Sequence, residues 1–297
     1  EARYRSPEIS GRALALLDAL GDLDAEGGAA ALESGYGFSA SAAEACAGFV
    51  AAQKSAGRGR PSLPGTRLLV LEEHEEGGAR GDVAKLVLHT LRGLAINEPL
   101  GLALAAAMEE ECGLPVQKVT DDDLVLLAIP RVEGMDAALA FVRAFRALAG
   151  AGVLERLVRA GLEGSGIFGA QFRENAGRAL LLPRGMPGKR RPLWMTRLRA
   201  RKLFEAVRDS PDFPVIVETW RSCLGDLFDL DGARELAMSV VDGRVGISSF
   251  SSRAPSPFAR EALWKETGEN MYRGDVLQGK ASSSVSDRVI AEALRSS

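Results

Sequence analysis

Basic side chains and one tryptophan are concentrated in residues 173–202, the basic segment, and together they could bind a nucleic acid. Ten of these residues are Lys or Arg, and Glu174 is the single acid. The whole chain carries a formal net charge of −3, so this local positive charge does not reflect the overall composition. Basic side chains that neutralise phosphates, combined with a ring that stacks on a base, are typical of single-strand binding. A solvated helix face that happens to carry arginines is the alternative interpretation.

A helix is predicted over residues 192–208, and it places several of these basic side chains on one face. At about 100° per residue, Arg197, Arg201 and Arg208 point in nearly the same direction. A stripe of arginines along a helix can follow a phosphate backbone. The same arginines could instead pair with nearby acids such as Glu205, and exposed pairs of that kind contribute only about 0–1 kcal/mol.

Trp194 stands where a loop rich in Gly and Pro meets the predicted helix. Its ring could stack on a base, which is worth about 1–3 kcal/mol. A lone tryptophan at the start of a helix more often belongs to a core, so both interpretations stay open. The candidate nucleic-acid-binding residues are Arg173, Arg178, Arg184, Lys189, Arg190, Arg191, Trp194, Arg197 and Arg201.

The rest of the sequence offers little catalytic chemistry. Residues 274–281 have the glycine and lysine spacing of a phosphate-binding loop, but Ala281 stands where a hydroxyl must bind Mg²⁺. Asp121–Asp123 could hold a divalent cation, although a solvated turn between two strands explains them better. With two histidines and no paired cysteines, a zinc site is not expected. We therefore expect no catalytic residue, metal or cofactor in this chain, with a hydrolase using Asp121–Asp123 as a distant alternative.

Composition limits the classes of protein that this chain can be. Its 297 residues, 46% hydrophobic and 26% charged, suit a globular protein of one large or two ordinary domains. The three cysteines lie far apart and favour a reducing, cytoplasmic environment. No apolar run is long enough to span a membrane. The first residues lack an initiator Met, so we expect the chain to be a piece of a longer protein.

The order of the predicted elements indicates an α+β fold. We expect short helices in residues 7–56, then a small antiparallel sheet with a packed helix, followed by a mainly helical unit. The predicted strands cover 67–72, 84–90, 115–119 and 124–129, the first two separated by a charged loop over 74–82, with a helix over 97–111 between the pairs. The segments 215–221 and 245–250 could each be a strand or a short helix, because their apolar runs are too short to decide.

Four units follow from these elements. Residues 1–65 are a helical lead-in and linker, and residues 66–135 are the sheet-and-helix unit. Residues 136–275 are the mainly helical unit with the basic segment, and residues 276–297 are a polar tail.

Several motifs taken together resemble the large helicase-related (Lhr) superfamily 2 helicases, in the DEAD/H-associated region that follows their motor domains. The resemblance covers roughly residues 36–275. The tail over 270–275 is more similar to the DNA-ligase-associated branch of that family. The motifs are Gly164–Arg184, Pro187–Trp194, Pro211–Pro214, Glu218–Thr219, Ser256–Ala259, Leu88–Thr90 and Asn97–Leu100.

The resemblance implies an ATP-driven 3′-to-5′ helicase that acts in DNA repair, with ATP and Mg²⁺ bound in motor domains absent from this sequence. It implies that this region helps to hold the loading strand, which agrees with the basic segment. The expected partners are single-stranded or 3′-tailed DNA, or a DNA–RNA hybrid, and the motor domains of the parent chain. The alternative is a protein–protein docking domain whose basic face packs on the helicase motor or on an acidic partner.

Overall fold

The computed structural model describes residues 5–75, 83–182 and 193–266, in which helices cover both faces of one mixed sheet. The helices are α1 (Pro7–Leu20), α2 (Ala25–Tyr36), α3 (Ala40–Ala56), α4 (Leu94–Cys112), α5 (Ala137–Ala147), α6 (Val153–Leu162), α7 (Gly166–Arg178), α8 (Leu193–Val207), α9 (Pro214–Arg221) and α10 (Leu230–Val241). The strands are β1 (Leu68–His74), β2 (Val83–His89), β3 (Gln117–Thr120), β4 (Leu124–Pro130) and β5 (Gly246–Ser252). A π-helical turn, Ser222–Leu227, follows α9, and a short helix covers residues 260–266.

The sheet has the strand order β3-β4-β2-β1-β5. The first four strands in the chain pair antiparallel, as the sequence predicts, and α4 connects the two pairs. β5 runs parallel to β1 and satisfies the backbone groups that would otherwise lie at an open edge. The uncertain segment 245–250 is therefore a strand, and the other uncertain segment, 215–221, lies in helix α9, which has Pro214 in its first turn.

One face of the sheet packs against α4, α5, α6 and α10. Alternate residues of each strand point to this side, among them Leu86 and Leu88 of β2 and Val125 and Leu127 of β4, all fully buried. Gly101 allows the close approach of α4 to β3, because a Cβ there would lie 2.6 Å from Cγ2 of Thr120. The main apolar core therefore lies between the sheet and these four helices.

The opposite face is covered by the segment that follows β5 and by the N-terminal helices. Val87, Leu124 and Leu126 pack against Ala259, Ala262 and Leu263. The ring of Phe258 stacks on Phe49 of α3 at 5.2 Å between centroids. The helices α1, α2 and α3 have a small apolar cluster of their own, which reaches the sheet through Leu91.

A buried polar cluster, the Glu72 cluster, lies on this second face. Oε1 of Glu72 accepts hydrogen bonds from the hydroxyl of Ser252 at 2.5 Å and from the N–H of Ser256 at 3.0 Å. Oε2 lies 3.1 Å from Nε2 of His89. Burial alone would raise the pKa of Glu72, but its hydrogen bond with His89, the charge of that ring, and the donors at Ser252 and Ser256 lower it. The cluster links β1, β2 and β5 to the loop before helix 260–266.

The sequence placed His74 in a charged loop, and that prediction is wrong. His74 ends β1 and is buried, with Nδ1 3.3 Å from Oγ of Ser252. The strand extends this far because His74 pairs with Lys85 on one side and with Ser252 on the other.

The four predicted units stay a prediction. β5 comes from the predicted helical unit but pairs with β1 of the sheet-and-helix unit, so these two units share one sheet. Cys46, Cys112 and Cys223 are free thiols. In the described ranges, no helix reaches the combination of length and apolar character that crossing a bilayer requires.

Candidate nucleic-acid interface

Helices α7 and α8 hold the described part of the basic segment, and an aromatic cluster fixes how they meet. Phe168 and Phe172 lie one turn apart on α7 and are almost fully buried. Both rings meet Phe204 of α8 edge-on, with centroids 5.7 and 5.2 Å away. Edge-to-face pairs of this kind are worth about 0.5–1.5 kcal/mol beyond the area they bury. The apolar faces therefore lock the two helices together and leave their basic faces outside.

A buried chain of polar groups holds α7 against α9. The side-chain amide of Asn175 donates to the hydroxyl of Thr219 at 3.3 Å, and that hydroxyl donates to the carbonyl oxygen of Val215 at 2.6 Å. Nε2 of Gln171 donates to Oδ1 of Asn175 at 3.4 Å. Because buried amides are costly when unpaired, this chain favours one rotational setting of α7, and with it the direction of the opposite face.

The two helices form the walls of an open groove, the α7–α8 groove, beside the rings that pack them together. On α7 the wall follows helical spacing through Gly166, Gly169, Ala170 and Arg173, and on α8 it follows the same spacing through Arg197, Ala200, Arg201 and Phe204. The volume of the groove is about 500 Å³. Glu163, Gly164, Ser165, Phe168 and Phe172 complete the lining.

Three of the nine predicted site residues meet in this groove. Arg173 contributes from α7, and Arg197 and Arg201 contribute from α8, whereas Arg208, the third arginine of the predicted stripe, does not line the groove. Since Gly and Ala line most of the α7 wall, a ligand can approach the helix backbone there. The N-terminus of α7 also faces this end, with the hydroxyl of Ser165 accepting from the N–H of Phe168 at 3.2 Å.

The remaining predicted residues have different positions. Trp194 lies one turn before Arg197 on α8 and is 52% exposed, so the interpretation of this ring as part of the core is wrong. The ring stays exposed because the face of α8 that meets α7 and α9 is the one bearing Ala200 and Phe204. Arg178, at the far end of α7, does not line the groove. Arg184, Lys189, Arg190 and Arg191 lie outside the described residues.

The arginines of this surface have exposed acids as partners. Arg201 pairs with Glu205 at 2.9 Å and Arg178 with Glu174 at 2.6 Å, each one helical turn away. Arg208 approaches Glu163 at 3.9 Å. Such pairs contribute only about 0–1 kcal/mol, so a phosphate can replace the carboxylate at little cost. Among the described residues, no carboxylate lies within ion-pair distance of Arg197.

The Asp121–Asp123 turn is tied into the fold. Oδ1 of Asp121 accepts from the N–H groups of Asp123 and Leu124, and Oδ1 of Asp122 accepts from the N–H of Leu94. Asp123 pairs with Arg5 at 2.6 Å. Burial raises the pKa of Asp121, which disfavours its charged form. The described residues contain no group of three or more side chains able to hold a metal ion.

Sequence reasoning missed two features of the charged surface. It did not foresee that Glu163, at the end of α6, contributes an acid to the α7–α8 groove, because nothing local marks which loop faces α8. It also missed a second cleft with several arginines, since Arg67, Arg92 and Arg244 come from three distant segments. In the sequence, a charged surface could be recognised only from a run of basic residues. Neither Glu163 nor the three arginines of the second cleft lie in such a run.

Residues 63–259 match the family model described as DEAD/H associated. The chain is 37% identical over 217 residues to the Lhr helicase/uracil glycosylase of Escherichia coli (strain K12), an alignment that spans 72% of this chain and 13% of that protein. It is 27% identical over 199 residues to the ATP-dependent helicase Lhr-Core protein 2 of Thermococcus barophilus, spanning 67% of this chain and 22% of that protein.

A solved structure has the same fold. The structure of Mycobacterium smegmatis helicase Lhr bound to ssDNA and AMP-PNP matches with a TM-score of 0.74 and 30% sequence identity, covering 89% of this chain and 32% of that chain. The resemblance inferred from the sequence motifs is thus confirmed. The similarity of residues 270–275 to the DNA-ligase-associated branch stays a prediction, and those residues lie outside the described ranges.

Proposed function

The chain belongs to the DEAD/H associated family, and we propose that it is a nucleic-acid-binding accessory region of an ATP-dependent 3′-to-5′ DNA helicase of the Lhr type. In this proposal the chain holds the loading strand during translocation and unwinding in DNA repair. ATP and Mg²⁺ act in motor domains outside this sequence, and no catalytic step falls to the residues described here.

The α7–α8 groove is the observation that carries the proposal. Arg173, Arg197 and Arg201 line it, and Trp194 stands exposed one turn before Arg197. Arginines bind the phosphates of a strand without regard to sequence, and an exposed ring offers a stacking surface that accepts any base. The groove therefore suits the backbone and bases of a single strand better than it suits a folded duplex.

The relatives support the same assignment. The M. smegmatis helicase Lhr that shares this fold was solved with ssDNA and AMP-PNP bound. Because the chain spans only 13% and 22% of the two curated relatives, the helicase activity is a proposal about a larger protein. We propose single-stranded or 3′-tailed DNA, or a DNA–RNA hybrid, as the nucleic-acid partner, and the motor domains as the protein partner.

The order of events in this proposal follows from the chemistry of the groove. The strand enters as a polyanion attracted by exposed arginines, and its phosphates replace the carboxylate partner of Arg201. Trp194 then stacks on a base and slows sliding of the strand between translocation steps. Since the ion pairs being exchanged are exposed and weak, the strand can be held and released repeatedly.

A salt series tests the proposal. We expect this chain to bind a fluorescent, unphosphorylated single-stranded oligonucleotide with an affinity that falls as salt rises. If about four to six phosphates are contacted, log K falls against log salt with a slope of about −3 to −4. The double variant Arg197→Glu/Arg201→Glu should bind on the order of 100-fold more weakly, because two charge-assisted contacts at about 1.5 kcal/mol each are lost.

Arg12→Glu is the matched control, since Arg12 is an exposed arginine that pairs with an acid one turn away on α1. It should bind like the unaltered chain. Circular dichroism must show that both variants are folded. Equal weakening in the double variant and the control would contradict a role for the groove.

The docking alternative has one observation in its favour. Leu180, just after α7, is 66% exposed and has a backbone φ of 62°, and large apolar side chains on this face suit a protein partner. Absence of oligonucleotide binding even at low salt, together with binding of isolated motor domains, would replace strand holding by docking.

A further inference from the structure

A second cleft, the arginine cleft, brings together three arginines that lie outside the basic segment. Arg67 precedes β1, Arg92 lies in the turn between β2 and α4, and Arg244 lies in the turn between α10 and β5. The cleft has a volume of about 530 Å³. The other lining residues are Thr66, Ile96, Gly232, Glu235, Leu236, Ser239, Gly243 and Val245.

Arg92 is the unusual member of this group. Its Nη2 donates to the carbonyl oxygen of Thr66 at 2.8 Å, but its Nε is buried and has no hydrogen-bond partner. Burial lowers the pKa of Arg92, and the charge of Asp18 only partly opposes this. Arg92 also lines the cleft, and its hydrogen bond through Nη2 is exposed, so the terminal nitrogens of this side chain are accessible to an anion.

The charges around Arg92 leave the cleft positive. Among the described residues, no carboxylate lies within ion-pair distance of Arg67 or Arg92. Arg244 pairs with Glu235 at 2.8 Å and with Asp242 at 3.3 Å. The acids that form ion pairs in the cleft therefore lie at Arg244, whereas the charge of Asp18 acts on Arg92 without an ion pair, so Arg67 and Arg92 can still bind an anion.

We propose that the arginine cleft binds a phosphate group. Arginines that converge from three separate segments of the chain suit an anion with oxygens on several sides, which a tetrahedral phosphate provides. A carboxylate presents two oxygens in one plane and is satisfied by a single guanidinium fork. Arg92 contacts one oxygen through its terminal nitrogens, Arg67 contacts another, and Arg244 exchanges part of its pairing with Asp242 for a third.

The arginine cleft and the α7–α8 groove have no lining residue in common. The phosphate can belong to a free small molecule, or it can be a phosphodiester of the strand held in the groove. The second source rests on the proposed function, whereas the first does not. The test therefore needs one arm for each source.

The first arm titrates inorganic phosphate into the chain at constant ionic strength and follows the broadening of the ³¹P resonance. We expect saturable binding that acetate does not displace. Arg92→Gln and Arg67→Gln should each weaken it about tenfold, the loss of roughly one charge-assisted contact. Because Arg67 is exposed, Arg67→Gln keeps the test valid if Arg92→Gln does not fold. Arg260→Gln, an exposed arginine outside the cleft, is the control and should leave binding unchanged.

The second arm measures an unphosphorylated oligonucleotide with the same variants. About tenfold weaker binding in Arg67→Gln identifies the phosphate as part of the strand, and unchanged binding identifies a free phosphate compound. When Arg197→Glu/Arg201→Glu is also present, Arg67→Gln should still weaken phosphate binding about tenfold, so failure of the groove and failure of the cleft are distinguishable. Phosphate binding that is equal in the unaltered chain and the Arg67→Gln variant, or that acetate displaces equally well, overturns the proposal.

Discussion

Charged side chains have opposite environments in the Glu72 cluster and in the α7–α8 groove. Glu72 is fully buried and its carboxylate has partners at His89, Ser252 and Ser256. Arg201 is exposed and has a single carboxylate partner, Glu205, one turn away. Removing the partner of a buried charge costs about 3–5 kcal/mol, whereas an exposed pair is worth about 0–1 kcal/mol. The first arrangement stabilises the fold, and the second leaves charge available to a ligand.

The two regions also differ in how many segments of the chain hold their charged partners in place. The Glu72 cluster joins three strands and the loop before helix 260–266, so its hydrogen bonds form only when all four segments are in place. The pair between Arg201 and Glu205 lies within α8, and α7 and α8 keep their position through Phe168, Phe172 and Phe204 when that pair breaks. In the proposed function, a strand can therefore replace the carboxylate of Glu205 without disturbing the packing beneath.

The largest predicted effect is the loss of stability when the Glu72 cluster is disrupted. Glu72→Ala should lower the free energy of unfolding by about 3–5 kcal/mol, because it leaves the donors at Ser252 and Ser256 buried without an acceptor. Urea denaturation followed by circular dichroism measures the change. Glu261→Ala removes an exposed glutamate that pairs with Lys265 and should leave stability nearly unchanged. A small effect of Glu72→Ala would mean that the cluster is not a structural element.

The same carboxylate predicts a dependence of stability on pH. The folded chain holds the pKa of Glu72 below that of an ordinary glutamate, so on acidification the unfolded chain takes up this proton first. The contribution of Glu72 is therefore complete above the usual glutamate pKa of about 4.3 and is lost as the pH falls below it. Thermal unfolding between neutral pH and the acid range should show a shallower decline in Glu72→Gln than in the unaltered chain. Parallel declines would contradict the assignment.

Local periodicity predicted the part of the fold that depends on neighbours in sequence. The strands β1 to β4 and helix α4 follow from apolar runs and from breaks such as Gly113. β5 has a polar sequence with Ser at four of its seven positions, and its partner β1 lies about 180 residues earlier in the chain. Only the pairing of these distant segments makes it a strand, so the sequence alone left it open.

The same distinction applies to the candidate site. Arg197 and Arg201 could be placed on one face because helical spacing fixes their relative direction. Whether Trp194 is buried depends on which helices pack beside α8, and no local pattern encodes that. The arginine cleft combines residues from three segments that are distant in sequence, so its members look like isolated surface arginines until the fold brings them together.

Replacing Trp194 tests the proposed binding of a strand beside the α7–α8 groove. Trp194→Ala should weaken single-strand binding by about 1–3 kcal/mol, the worth of one stacked base. Stability should change by less than about 0.5 kcal/mol, because half of the ring is already exposed. Fluorescence anisotropy measures the first quantity and urea denaturation the second. Trp264→Ala is the matched control, since Trp264 is 81% exposed and lies in the helix over residues 260–266 rather than on α8. Equal weakening by both variants would contradict stacking at Trp194.

The smallest predicted effect is a gain in strand binding, whereas the other substitutions in the groove weaken binding. This difference in sign makes it the sharpest test of the groove. Glu205→Gln removes the acid that pairs with Arg201 and should strengthen strand binding by at most about fivefold, equivalent to less than about 1 kcal/mol. Stability should fall only slightly, since an exposed pair one turn apart contributes about 0.3–0.5 kcal/mol. Glu8→Gln removes an equally charged partner from an exposed pair with Arg12, so it controls for the change in net charge. If Glu205→Gln strengthens binding and Glu8→Gln does not, the carboxylate competes with the strand for Arg201. If both variants strengthen binding equally, the gain comes from net charge and Arg201 does not contact the strand.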